Sequence, residues 1–154
     1  MSASEVKSPI RFHSRYKHGL DEKRRVQIPS KWRSEEDNTQ LTVVLWPQHK
    51  AGTCLRVYPP EEFELLLGSI EGLPNADPKK VLLRRHVGSN SDQLTVDKAG
   101  RIILPEHMAE AAGLKDQAML AGGIKYFEIW DPVRYESSVV MDAPAAGNAL
   151  GELG

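Results

Sequence analysis

The sequence predicts an α+β, β-rich protein: two βαββα repeats with short helices, packed as a small pseudo-two-fold barrel. Two observations carry this prediction. Leu20-Asp-Glu-Lys-Arg-Arg-Val-Gln-Ile-Pro29 aligns without a gap onto Val96-Asp-Lys-Ala-Gly-Arg-Ile-Ile-Leu-Pro105. Farther on, Cys54-Leu-Arg-Val-Tyr-Pro-Pro-Glu-Glu-Phe63 lies over Tyr126-Phe-Glu-Ile-Trp-Asp-Pro-Val-Arg-Tyr135. An internal repeat outranks local propensity as evidence of architecture. A half of about 60 residues is a marginal core alone, so the two should pack together and leave few strand edges exposed.

Each half reads in the same order. A hairpin is followed by a short turn of helix begun at a proline, over Ser30 to Glu35 and over Glu106 to Ala112, where Gly113 stops it. Two strands come next, Leu41 to Leu45 with Cys54 to Tyr58, and Gln117 to Ala121 with Tyr126 to Trp130. A closing helix opens at Pro60 or Pro132, a position where the missing N–H costs nothing, and Asp131 can cap the second. The predicted division is 11–70 for the first half, 71–88 for a linker helix capped by Asp77, 89–140 for the second half, and 141–154 for a disordered tail rich in Ala, Gly and Pro.

Composition narrows the function classes. The chain has 154 residues, 40% hydrophobic and 27% charged, which is ordinary for a soluble globular protein. Its single cysteine, Cys54, excludes an intramolecular disulfide and a cysteine-rich zinc site, and lies in a strand pattern suited to the core. His13, His18, His49, His86 and His107 show no metal-ligand spacing, and no phosphate-binding glycine fingerprint occurs. No enzyme activity, cofactor or metal is expected. No apolar run is long enough to cross a bilayer. Met1 to Pro9 is polar without an apolar core, so a signal peptide is not expected and the cytoplasm is the default location.

Net charge is −1, but its distribution is uneven. Residues 11–33 hold eight basic residues (Arg11, Arg15, Lys17, Lys23, Arg24, Arg25, Lys31, Arg33) against Asp21 and Glu22. That is +6, leaving −7 for the rest of the chain. One basic segment on an otherwise acidic protein fits an anionic partner better than the net charge suggests.

The turns carry the chemistry. In Asp97-Lys-Ala-Gly100-Arg101, Asp at the first position and Gly at the fourth mark a type I turn closed by a left-handed residue. Asp97 can bond the turn's backbone amides, Gly100 supplies the positive φ, and Arg101 leaves at a set angle. Leu94, Val96, Ile102 and Leu104 should alternate inward and set a hairpin register. A repeat needs the turn and the alternation twice; it does not need Arg twice. Paired guanidinium groups suit phosphates or guanine edges. The first turn has Arg24 where the second has Gly100, so its shape is the less certain.

Both halves resemble the MraZ family, related to the AbrB-type swapped-hairpin DNA-binding domains. The resemblance covers roughly His13 to Val139 and rests on the two Asp-x-x-x-Arg turns and Phe127-Glu-Ile-Trp130. It implies a transcription regulator that assembles as a homo-oligomeric ring. The implied partner is double-stranded DNA, at short direct repeats in the promoter of the bacterial division and cell-wall gene cluster, and the implied location is cytoplasmic and nucleoid-associated. Carried across, the DNA-binding residues are Arg25 and Arg101, mounted by the turn-forming Asp21, Asp97 and Gly100. Arg15, Lys23, Arg24 and Lys98 adjoin them on charge and position. Two alternatives keep the hairpin but not the role: a ring-forming scaffold with little DNA affinity, and an antitoxin, for which a shorter chain with one module would be expected.

Overall fold

The computed structural model describes residues 9–36 and 38–154; residues 1–8 of the polar N-terminal run lie outside them. Strands β1 (Arg15–Gly19), β2 (Arg25–Gln27), β3 (Gln40–Trp46) and β4 (Cys54–Tyr58) lead into helix α1 (Pro60–Glu71), with a turn of 3-10 helix at Ser30–Trp32. Helix α2 (Pro78–Ser89) links the halves, its N-terminus capped by Asp77, whose side chain accepts from the Lys79 amide. The second half repeats the order with β5 (Ser91–Thr95), β6 (Arg101–Ile103), α3 (Glu106–Ala111), β7 (Gln117–Gly122), β8 (Phe127–Trp130) and α4 (Pro132–Leu153).

The pairing exchanges strands between halves. Six antiparallel strands lie in the order β1-β7-β8-β4-β3-β5, and β2 and β6 form a separate two-stranded ribbon. Thus β1 of the first half pairs with β7 of the second, and β5 of the second with β3 of the first. A pseudo-two-fold axis runs between β4 and β8 and through the ribbon. On it each residue meets its own repeat counterpart: Arg56 opposite Glu128, Val26 opposite Ile102.

Two expectations about the strands need correction. The sheet does not close into a barrel: β1 and β5 remain its edges. Ribbon strands of three residues are too short to ladder along both edges, and β2 reaches β1 only through the isolated bridge Leu20–Val26. Nor do the strands flanking each turn form an ordinary hairpin. The tip of turn two closes through Asp97 N–H to the Arg101 carbonyl, after which β5 leaves for β3 and β6 for β2.

The core explains the exchange. The ribbon, the 3-10 turn and α3 lie over one face of the sheet. Val26, Ile28, Trp32, Ile102, Leu104 and Met108 pack there against Leu55, Val57, Leu120, Phe127 and Ile129. Val26 and Ile102 are both 0% exposed, so the ribbon shared by the two halves is sealed against one common core. Burying a side chain of this size contributes about 1.5–3 kcal/mol. On the opposite face, α4 packs Tyr135 against a smaller cluster of Cys54, Ala121 and Trp130.

Helix α4 also corrects the expected tail. Capped by Asp131, it continues through Pro144 to Leu153 instead of ending near 140. Ala143, Ala145, Ala146 and Ala149 are the strongest helix formers and prolong a helix already nucleated by packing. A bond of 2.8 Å between His49 Nε2 and Asp142 Oδ1 ties this stretch to the β3–β4 loop.

Because the ribbon seals both halves, Ile102→Ala should cost about 2–5 kcal/mol. Denaturant unfolding should show both halves melting in one transition; separate transitions would contradict the shared core.

Candidate nucleic-acid interface

Strand alternation sorts the ribbon into two faces. Val26 and Ile102 point into the core, while Arg25 opposite Ile103 and Gln27 opposite Arg101 point away from it. Ile103 is 54% exposed, an apolar side chain left in the open between two arginines.

The two turns repeat one set of bonds. Asp21 Oδ1 accepts from the amides of Lys23 (2.9 Å) and Arg25 (2.8 Å), and Oδ2 accepts from Arg25 Nε at 2.7 Å. At turn two, Asp97 Oδ1 accepts from the amides of Ala99 and Arg101, each at 2.9 Å, and Oδ2 from Arg101 Nε at 3.1 Å. The carboxylate therefore builds the loop and grips the guanidinium by Nε. Donation from the Arg25 amide holds the Asp21 carboxyl below the ordinary aspartate range, and donation from the Arg101 amide does the same for Asp97.

The departure at Arg24 is absorbed. Its φ is 60°, in the same left-handed region as Gly100 at 81°, so the first turn keeps the shape of the second. A non-glycine residue there costs about 1 kcal/mol. One offset is a hydrogen bond of 2.9 Å from Arg24 Nε to the Leu104 carbonyl. Gly100 cannot be exchanged so freely: a Cβ there would fall 2.6 Å from Cζ and 2.8 Å from Cδ of Arg33, whose side chain lies over it.

Each turn is also fastened by the opposite half. Leu104 N–H donates to the Arg24 carbonyl, and Ile28 N–H to the Gly100 carbonyl. Gln27 Nε2 donates to the Ala99 carbonyl at 2.8 Å. Gln27 and Arg33 were missed by the motif, which ends at the turn. The outward phase of Gln27 on β2 and the place of Arg33 in the basic segment were the available signals.

Of the other predicted residues, Lys23 and Lys98 are exposed on the turns themselves. Arg15 stands apart, at the far end of β1, six residues of extended chain or about 20 Å from Asp21. Cys54 is buried, and burial pushes its thiol far up, so it is held neutral.

An antiparallel ribbon exchanged between two copies of one unit, with an arginine mounted at each tip, defines a swapped-strand protein built from an internal duplication. Residues 89–143 match the family described as "MraZ protein, putative antitoxin-like". The transcriptional regulator MraZ of Roseiflexus sp. (strain RS-1) is 34% identical over 136 residues, 88% of this chain and 92% of that protein. The transcriptional regulator MraZ of Treponema denticola is 31% identical over 143 residues, 90% of this chain and 96% of its own. That of Syntrophobacter fumaroxidans is 31% identical over 133 residues, covering 85% and 86%. The chain belongs to the MraZ family.

The pH dependence of the turns follows from the two aspartates. Their folded-state pKa values are depressed, so the stabilisation they give is present above the unfolded value and is lost as pH falls through the folded one. Titrating the Asp21 and Asp97 carboxyl carbons by NMR should give midpoints below the ordinary value of 3.8. Midpoints at or above it would contradict the grip on Arg25 and Arg101.

Proposed function

We propose that this protein is a transcription regulator that binds double-stranded DNA through the two Asp-x-x-x-Arg turns of its exchanged ribbon. The observation that carries the reading is the paired mount: the same three bonds fix Arg25 and Arg101 and leave their outer nitrogens free of the turn. Pre-orientation matters because a side chain already held in place loses little entropy on binding. A guanidinium presented this way can take a guanine edge by O6 and N7, or a phosphate, with two parallel bonds. A two-stranded ribbon is narrow enough for the major groove.

In this reading Arg25 and Arg101 face the base edges. Lys23, Arg24, Lys31 and Lys98 neutralise phosphates, and Arg15 lies outside the head. The printed function of the relatives, transcriptional regulation, supports the assignment. The MraZ resemblance extends it to short direct repeats in the promoter of the division and cell-wall gene cluster, and to a nucleoid-associated ring. Repetition of one head around a ring would raise affinity through effective concentration, since a single ribbon offers few contacts. Among the described residues no helix is long and apolar enough to cross a membrane.

Arg101→Ala should cost about 1–3 kcal/mol and relax sequence preference, whereas Lys23→Ala should weaken all sequences alike. Gel-shift titrations on DNA selected from a random pool and on a scrambled control distinguish the two. Equal losses on both DNAs for Arg101→Ala would reject base reading. Salt-independent binding would reject DNA as the partner in favour of a scaffold.

A further inference from the structure

A side chain at position 100, besides adopting a positive φ, would have to displace a residue from the other half of the chain. The space into which it would project is filled by the guanidinium end of Arg33, and Gly100 itself is buried beneath that group. The backbone of Arg33 is anchored. This residue follows Trp32, which is buried among Phe12, Tyr16 and Phe127 and donates its indole N–H to the His13 carbonyl at 3.0 Å. Its own amide donates to the Ser30 carbonyl, and its Nε is enclosed with no partner among the described residues.

At turn one the arrangement is inverted. Arg24 occupies the position equivalent to Gly100 and carries its own guanidinium. The repeat offset that matches Arg25 to Arg101 brings Arg33 onto Ala109, which is buried with 3% exposure. Turn two thus pairs a glycine with the cation at position 33, whereas turn one carries its own cation and has an alanine at the offset-matched position 109. Each turn ends with one guanidinium beside it, supplied by the turn itself in one half and from across the pseudo-axis in the other.

We propose that Arg33 is a phosphate-contacting residue of turn two, the counterpart of Arg24 at turn one. The inference rests on the DNA-binding reading above and adds a residue outside the Asp-x-x-x-Arg motif. It makes the second head composite: Arg101 and Lys98 from the second half, Arg33 from the first. The cation set of both heads then comes chiefly from residues 23–33, which accounts for the concentration of positive charge there.

The test compares single and paired variants of the full chain, binding a mixed-sequence DNA duplex over a range of salt. Arg33→Gln, which keeps a polar side chain but removes the charge, should weaken binding several-fold. It should also flatten the slope of log affinity against log salt by about 0.9 for each engaged turn two. The melting temperature should stay close to that of the parent. Gly100→Arg alone should destabilise the protein, because the site is already filled. Arg33→Ala combined with Gly100→Arg, which copies turn one, should recover both the fold and the slope. If Arg33→Gln leaves the slope unchanged while Arg101→Ala flattens it, Arg33 is only packing and the inference falls while the DNA reading stands. If the parent protein shows no salt-dependent binding, both fall.

Discussion

Three residues of β2 pair with three of β6, and this short ladder holds the arrangement together. Val26 and Ile102 meet on the pseudo-axis with no exposed surface, and around them both halves contribute to one core. The longer exchanged ladders, β1 with β7 and β5 with β3, lie on either side of this short one. Without it the inner face of Leu55, Val57, Phe127 and Ile129 would lack a cover. The exchange makes the two marginal halves one cooperative unit, which is how a duplicated module of this size gains an adequate core.

The axis also shows what duplication within one chain permits. Where counterparts meet, a perfect repeat would bring like onto like. At the centre of the sheet Arg56 faces Glu128 instead, with an N–O distance of 2.9 Å, and its guanidinium stacks between Trp46 and Tyr126. Two arginines there would repel; divergence of the copies turns the clash into a pair. The same divergence appears at the ribbon, where Gln27 reaches the Ala99 carbonyl but its counterpart Ile103 is apolar and exposed. The two heads share a mount and differ in what surrounds it.

The mount suits recognition because its parts have separate duties. Aspartate builds the loop through backbone amides and steers arginine through Nε, and the opposite half fastens the loop by its carbonyls. The head is thus rigid although it stands at the edge of the core. A charged group fixed before binding discriminates better than one that must be ordered on contact. Exposed apolar residues on α4, Val133, Val140 and Met141 among them, lie well away from these turns in sequence.

By itself the sequence determined the repeat, the strand and helix order, the caps at Asp77 and Asp131, and the two aspartate-built turns. All of these depend on interactions within a few residues, and their signals are local. Pairing partners were beyond its reach: alternation marks which face of β6 is buried but not whether β5 or β2 lies beside it, so an ordinary hairpin and a closed barrel were the natural expectation. The helical extension of α4 past residue 140 was hidden for a similar reason, since an Ala- and Gly-rich stretch reads as a tail until the packed helix before it is known. At the site, Asp21, Arg25, Asp97 and Arg101 were legible, whereas Gln27 and Arg33 became visible only once the halves were interleaved. Their contacts span 72 and 67 residues of chain, and only the tertiary structure brings such distant residues to one turn.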